Sequence, residues 1–166
     1  MPIDLYIVRH GLAGEHGSYA DDEKRPLTDE GQRKTKQIAN RLESFGIRFD
    51  SILTSPLVRA RQTADIFVAA GLGKTLEESR LLAPEGHIQD WLPWFETWKQ
   101  SGSECLALVG HEPNLSTWAE QLVWGEIRYH IRLKKAGVIG ITLPKTGSPI
   151  GQGELFWLTP PRFLMD

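Results

Sequence analysis

Apolar and polar positions repeat in two different periods along this chain, and the changes between the periods predict alternating strands and helices. Six segments have the composition of strands: residues 5–8, 51–54, 75–77, 105–109, 137–143 and 154–158. The segment at 105–109 is the most continuously apolar, which predicts a strand buried on both faces. The last two segments are joined by a loop rich in glycine and proline, which predicts a closing strand pair.

Four helices are predicted between these strands, from apolar residues at helical spacing. They run from Asp29 to a cap at Gly46, from a cap at Ser55 to Gly71, from Ile88 to Lys99, and from the residues after Pro113 through Leu122. Asp29 and Gln32 are spaced like a capping box, and Ser55-Pro56 is typical of a helix start. Strands that alternate with helices predict an α/β fold, a three-layer α/β/α sandwich with a mostly parallel central sheet.

Composition and charge narrow the class of protein. The 166 residues fit one domain spanning 1–166, and a net charge of −2 gives no reason to expect a nucleic-acid partner. A single cysteine, Cys105, excludes a disulfide or a thiolate metal cluster within one chain. No segment resembles a signal peptide or is apolar for long enough to span a bilayer, so we expect no membrane association and a cytoplasmic location.

Three predicted strands end in residues that suit a bound anion: Arg9-His10-Gly11, Thr54-Ser55 and Gly110-His111. The carboxyl ends of parallel strands lie on one edge of a sheet, so these residues are expected to converge there, with Arg59 from the helix behind the second strand. Helix N-termini at the same edge also favour an anion. No acidic cluster accompanies them, so we expect a phosphoryl group held by protein cations, with no metal and no cofactor.

The segments 9–11, 55–64 and 110–111 together resemble the histidine phosphatase (phosphoglycerate mutase-like) superfamily, and the resemblance covers nearly the whole chain. It implies that His10 is the nucleophile and forms a covalent phosphohistidine, with Arg9, Arg59 and His111 around the phosphate. We also expect Gly11 and Ser55 to contact the phosphate. Arg61 does not match the pocket arginine and is interpreted as a solvated helix residue.

The chain is short, and nothing in it suggests a cap inserted over the site. Its short length without a cap is similar to that of the SixA-type phosphohistidine phosphatases. Arg25-Pro26-Leu27-Thr28, Gly31 and the compact tail also resemble that type. That resemblance implies a phosphohistidine-bearing phosphotransfer protein as the substrate. Two alternatives stay open: a phosphomonoesterase acting on a small sugar or glycerate phosphate, and a non-catalytic phosphate-binding domain.

The general acid is the least defined part of the prediction. The nearest candidate is Glu85, with Asp90 behind it, and neither has the sequence context of the mutase-like members. An ester needs an acid because an alkoxide leaves badly, whereas a protonated imidazole can leave a phosphohistidine as a neutral ring. The weak acid motif therefore favours a nitrogen–phosphorus substrate, and Glu85 keeps the ester hypothesis open.

Other polar and aromatic residues are given structural interpretations. His16, His87 and His130 are expected at the surface, although His16 or His87 could border the pocket. The helical stripe of Trp91, Trp94 and Trp98 is expected in the core. Lys134-Lys135 belongs to a modest basic run that is expected to be solvated, and that could steer an acidic partner.

Overall fold

The computed structural model describes residues 1–165 and contains one six-stranded sheet within them. Its strands are β1 (Ile3–Arg9), β2 (Ser51–Thr54), β3 (Leu76–Glu78), β4 (Cys105–Gly110), β5 (Val138–Leu143) and β6 (Glu154–Thr159). The helices are α1 (Asp29–Ser44), α2 (Val58–Ala69), α3 (Ile88–Lys99) and α4 (Asn114–Trp124), with short 3₁₀ turns at Asp22–Lys24, Arg80–Leu82 and Pro161–Leu164. Among the described residues, no helix is both long and apolar enough to cross a membrane.

The strands lie in the order β3-β2-β4-β1-β5-β6. The first four are parallel to one another, while β5 runs antiparallel to β1 and β6 antiparallel to β5. The predicted α/β fold, with a mostly parallel sheet and a closing strand pair, is confirmed. Because β4 and β1 lie at the centre, the polar residues that follow them are neighbours.

Side chains of the central strands alternate between two apolar layers. Tyr6 and Val8 pack with α1 and α2 on one face, whereas Leu5 and Ile7 pack with α3 and α4 on the other. A strand covered on both faces is apolar at every position, which is why β4 has no polar alternation. Trp91 and Trp98 are buried and Trp94 packs against the same layer, so the core interpretation of this stripe is confirmed.

Two predicted helix starts are wrong, one by one residue and the other by two. The cap of α1 is Thr28, whose hydroxyl accepts from the Gly31 N–H at 2.9 Å, rather than Asp29. Helix α2 begins at Val58 rather than next to Ser55. The Ser55 hydroxyl instead accepts from the Leu57 N–H at 3.2 Å and lies against His111, so the site holds it away from a helix cap.

One buried carboxylate organises the segment between α4 and β5. Glu120 is 1% exposed, and its two oxygens accept hydrogen bonds of 2.5–2.7 Å from the four consecutive backbone N–H groups of residues 128–131. Burial raises the pKa of Glu120, but these four bonds outweigh it and the net pKa is lowered. The same segment continues to the Leu133 carbonyl, which accepts from the Arg9 guanidinium at 3.1 Å.

The variant Glu120→Gln is expected to lower the free energy of unfolding by about 3 kcal/mol, because bonds to a charged acceptor are each worth about 1.5–3 kcal/mol and an amide NH₂ cannot accept from N–H groups. Urea denaturation followed by circular dichroism measures this. The control is Glu126→Gln, an exposed carboxylate in the same segment. Equal midpoints for the two variants would contradict the structural role of Glu120.

Candidate active site

The pairing of the central strands continues past their ends into the site. Arg9 of β1 is in register with Gly110 of β4, and the His10 N–H donates to the Gly110 carbonyl at 3.1 Å. On the other side of β4, the Ser55 N–H donates to the Val109 carbonyl at 2.9 Å. The backbone therefore fixes the spacing of three polar strand ends, on which the functional side chains are mounted.

His10 is held as a neutral imidazole with one defined tautomer. Its Nδ1 lies 2.7 Å from the Gly11 carbonyl, which can only accept, so the proton is on Nδ1 and the lone pair is on Nε2. Burial is the main cause that lowers the pKa of His10 to about 3, and the nearby His111, Arg59 and Arg9 lower it further. An unprotonated Nε2 is what a nucleophilic histidine requires.

His111 lies beside His10, with 5.2 Å between the ring centroids. Its Nε2 is 2.7 Å from the Ser55 hydroxyl, which holds the ring in place. Burial, followed by Arg59 and Arg9, lowers the pKa of His111 to about 4. His111 can therefore enter the reaction as a neutral ring whose Nδ1 is available to a ligand.

The two arginines are anchored through their terminal nitrogens. Arg9 donates to the Leu133 carbonyl at 3.1 Å, and Arg59 donates to the backbone carbonyl and the carboxylate of Asp22 at 2.9 and 3.1 Å. Burial lowers the pKa of both guanidinium groups. The cost of burying cations is reduced when an anion binds, so these side chains favour a negatively charged ligand.

Unpartnered polar atoms are concentrated at this site. Within the described part of the chain, four buried side-chain nitrogens lack a hydrogen-bond partner: Arg9 Nε, Arg59 Nε, His111 Nδ1 and Trp91 Nε1. Buried polar groups are normally paired, so the three that belong to one site indicate a hydrogen-bonding ligand. Guanidinium nitrogens can only donate, which specifies an acceptor such as a phosphoryl oxygen.

These side chains line a cavity of 540 Å³ at the carboxyl edge of the sheet. Its wall contains all four principal predicted residues, Arg9, His10, Arg59 and His111, together with Leu12, Ala13, Gly14, Glu15, His16, Asp22, Arg25, Pro84, Glu112 and Lys135. The structure thus brings the four together, while their roles stay predictions. His16 borders the cavity, whereas His87 lines a neighbouring one.

Asp22 is a cavity residue that the sequence analysis missed. Its carboxylate contacts Arg59 Nη2 at 3.1 Å and Arg25 Nε at 2.8 Å. The hydrogen bond from Arg25 is the main cause that lowers the pKa of Asp22, so the group is ionised. The only sequence signal for it was the unusual length of the polar loop between β1 and α1, because which acid in a loop meets an arginine depends on the fold.

That loop has a closed stem. The Thr28 N–H donates to the Leu12 carbonyl at 3.0 Å, and Ala13 and Leu27 form an isolated antiparallel bridge. The first turn of α1 packs tightly on the stem, since a Cβ at Gly31 would lie 2.0 Å from the Leu12 carbonyl oxygen. The segment between the stem residues carries Asp22 and Arg25 to the cavity.

Gly11 and Ser55 lie behind the cavity wall instead of lining it. The Gly11 N–H donates to the Thr63 hydroxyl at 3.0 Å, and a Cβ at Gly11 would lie 2.3 Å from the Thr35 hydroxyl oxygen. Ser55 is fully buried against His111. The Gly11 carbonyl and the Ser55 hydroxyl contact the two histidines and position them, while direct contact of either residue with phosphate stays a prediction.

Glu85 is placed outside the cavity. Its exposed carboxylate pairs with Arg80 at 2.6 Å, and the hydrogen bond from Arg80 is the main cause that lowers the pKa of Glu85. Glu85 and Asp90 line the neighbouring cavity of 680 Å³. Arg61 also faces away from the site and pairs at the surface with Asp65 and Glu78, as its interpretation as a solvated residue predicts.

The fold and the site together define the class of protein. Two neutral imidazoles, the buried guanidinium of Arg59 and the partly buried guanidinium of Arg9 meet at the carboxyl edge of a parallel sheet. This arrangement is suited to phosphoryl chemistry. The chain belongs to the histidine phosphatase superfamily (branch 1), whose family model matches residues 5–112. The resemblance stated from the sequence motifs is confirmed.

Individual proteins show the same relationship. An uncharacterised protein of Picosynechococcus sp. (strain ATCC 27264 / PCC 7002 / PR-6) is 44% identical over 167 residues, which cover 98% of this chain and 99% of the relative. The solved structure of the protein histidine phosphatase SixA complexed with tungstate has a TM-score of 0.84 at 24% identity and covers 98% of this chain and 99% of that one. The alpha-ribazole phosphatase of Shigella flexneri has a TM-score of 0.68 at 18% identity, with 94% and 96% covered. At these identities, the two solved structures show a shared fold.

The pKa values of the two buried histidines predict how the ligand-free protein responds to acid. In the unfolded chain, histidine takes up a proton near pH 6.5, whereas folded His10 and His111 do so only near pH 3 and 4. Stability from burying the neutral rings is therefore fully present above pH 6.5 and is lost as the pH falls towards 4 and 3. Imidazole C–H resonances followed by NMR should keep their neutral shifts at pH 5. A midpoint near pH 6.5 for either ring would contradict the geometry.

The variant Arg59→Lys is expected to weaken the binding of inorganic phosphate about tenfold, because an ammonium replaces the planar fork of donors. Isothermal titration calorimetry measures the dissociation constant. Arg61→Lys is the matched control, since it makes the same change on the same helix in a side chain that pairs only at the surface. Equal weakening in both variants would show that Arg59 has no particular part in anion binding.

Proposed function

We propose that this protein is a phosphatase that removes phosphate from phosphohistidine on a phosphotransfer protein, through a covalent phosphohistidine on His10. The observation that carries the proposal is the group of three unpartnered buried nitrogens, on Arg9, Arg59 and His111, around a cavity that also contains His10. These nitrogens suit the oxygens of a phosphoryl group, and the neutral Nε2 of His10 suits attack on its phosphorus. The fold shared with SixA supports the same substrate class.

The first step transfers the phosphoryl group to the protein. The lone pair of His10 Nε2 forms a bond to phosphorus, and the bond from phosphorus to the substrate imidazole breaks with its electron pair going to that ring. If the substrate ring carries a proton on its other nitrogen, it leaves as neutral imidazole. Arg9, Arg59 and His111 stabilise the charge that spreads over the phosphoryl oxygens.

The second step releases inorganic phosphate. A water oxygen forms a bond to phosphorus while the bond to His10 Nε2 breaks, and the electron pair returns to the imidazole. The proton lost by the water passes to the phosphate or to solvent. The Gly11 carbonyl stabilises the Nδ1–H of His10 throughout, so Nε2 recovers its lone pair for the next cycle.

The carboxyl groups near the cavity support a substrate that needs no strong acid. Glu85 is paired with Arg80 and Asp22 with Arg25 and Arg59, and the pKa of each of these two carboxyls is lowered. Neither is suited to protonate an alkoxide. A phosphohistidine avoids this requirement, because its leaving group can depart neutral.

One observation favours the alternative, a phosphomonoesterase for a small sugar or glycerate phosphate. Glu112 follows His111 directly and lines the cavity, where one of its oxygens accepts from the Ser116 N–H at 2.7 Å. A carboxyl in this position could serve an ester substrate as a proton donor. The alternative therefore predicts a dependence on Glu112 or Glu85 that the phosphohistidine proposal does not.

The proposal treats residues 1–166 as a single phosphatase domain without a cap insertion, located in the cytoplasm. It requires no cofactor. In this proposal His10 acts as a nucleophile beside the anion-binding groups of the cavity, and a domain that only binds phosphate has no need of a nucleophile. Tight phosphate binding without turnover would support the other alternative, a non-catalytic phosphate-binding domain.

The test compares initial rates of phosphate release from a phosphohistidine-bearing phosphotransfer domain and from a panel of small phosphate esters. Release that is faster from the phosphoprotein and falls at least 1,000-fold in His10→Ala, roughly the scale on which a covalent nucleophile acts, is the expected result. Radiolabelled phosphate should appear on wild-type protein during turnover and not on His10→Ala.

Two further variants separate the alternatives. Glu85→Gln and Glu112→Gln are expected to leave the rate of phosphohistidine turnover within about twofold of wild type. Loss of a needed acid would instead cost tenfold in rate for about every 1.4 kcal/mol of activation free energy. A preference for an ester, together with a large loss in either variant, would favour the phosphomonoesterase. Turnover that persists in His10→Ala would overturn the covalent mechanism.

A further inference from the structure

A second cavity adjoins the catalytic one. It has a volume of 370 Å³ and is lined by Arg9, Leu12, Lys34, Thr35, Ile38, Lys134, Lys135, Ala136, Pro161 and Met165. We call it the basic groove. Arg9, Leu12 and Lys135 line both cavities, so a molecule bound at the catalytic cavity can extend directly into the groove.

The charge of the groove has one sign. Four of its lining side chains are cations, Arg9, Lys34, Lys134 and Lys135, and none is a carboxylate. The chain as a whole has a net charge of −2, so this concentration of positive charge is a local feature. Such a surface attracts anionic partners and excludes cationic ones.

Two of the three lysines among these cations have no ion-pair partner within the described part of the protein. Lys34 pairs with the exposed carboxylate of Glu30 at 2.8 Å, whereas neither Lys134 nor Lys135 makes an ion pair with any described residue. Burial, followed by the positive charges of Arg9 and Arg25, lowers the pKa of Lys135. Like charges are thus held together at the junction of the two cavities, and an anion in the groove would relieve their repulsion.

The remaining lining of the groove is largely apolar. Ile38 and Ala136 are buried, and Leu12, Pro161 and Met165 are partly exposed. An occupant therefore needs an apolar body as well as an acidic group. A peptide segment with glutamate or aspartate side chains meets both requirements, because its carbon stems can lie on the apolar wall while the carboxylates reach the lysines.

We propose that the basic groove binds an acidic segment of the substrate phosphoprotein, the partner whose phosphohistidine is presented to His10. This inference rests on the proposed function, and it adds a rule for substrate choice: acidic residues near the phosphohistidine favour binding. The charge of the groove and its continuity with the catalytic cavity carry the argument. The phosphoryl group fixes one end of the substrate, and the groove fixes the segment beside it.

The test uses two peptides that differ only in charge, with glutamates or glutamines flanking the histidine, each with and without its phosphate. The double variant Lys34→Gln/Lys134→Gln removes two groove cations that do not line the catalytic cavity. We expect it to lower kcat/KM for the glutamate phosphopeptide about tenfold, as the loss of two surface charge pairs of about 0.7 kcal/mol each would do, and to leave phosphoramidate turnover unchanged. Lys74→Gln, an exposed lysine outside the groove, is the matched control.

Binding gives a readout that does not depend on catalysis. Fluorescence anisotropy of the unphosphorylated glutamate peptide should show tighter binding than that of the glutamine peptide, and the difference should disappear in the double variant and at high salt. Equal binding of the two peptides to wild-type protein, or an unchanged preference in the double variant, would overturn the groove proposal. Absence of turnover on phosphoramidate and phosphopeptide alike would instead count against the proposed function, while the anisotropy result would still decide the groove.

Discussion

The backbone pairing of β1 with β4 is the constraint on which the site depends. In register, Arg9 lies opposite Gly110, and one further hydrogen bond, from the His10 N–H to the Gly110 carbonyl, carries the ladder into the functional residues. The two imidazoles are therefore placed by main-chain geometry before any side chain interacts. A shift of the register by one residue would turn every side chain of β1 to the opposite layer and would separate His10 from His111.

Much of the fold could be predicted because each element carries its own local signal. The bounds of β2 and α3 agree with the predictions, since a short apolar segment before Ser55-Pro56 and a tryptophan stripe at helical spacing are strong local signals. The start of α2 could not be obtained in the same way. Ser55 has the local signature of a cap, but its hydroxyl lies against His111, which is 56 residues away. A contact at that distance along the chain is not encoded in neighbouring residues.

The site likewise contains residues that have a local sequence signal and residues whose position depends on distant contacts. Residues that directly follow strands, such as His10 and His111, were found because the edge of a parallel sheet is a predictable location. Asp22 and Arg25 were not assigned to the cavity, because their position depends on how the loop between β1 and α1 folds. Glu85 was selected by its place in the sequence, and the structure turns it towards Arg80 instead. Strand ends are thus more predictable than loop interiors.

The closed stem at Leu12–Thr28 and Ala13–Leu27 has a consequence for how relatives of this protein can diverge. The stem already brings the two ends of the loop together. The entropic cost of closing the segment between them therefore grows only slowly with its length, by about 0.6 kcal/mol for each doubling. Residues can be gained or lost between 14 and 26 without disturbing β1 or α1. Relatives can therefore differ in the length of this loop at small entropic cost, provided that an acceptor remains for Arg59, which donates to Asp22 in this protein.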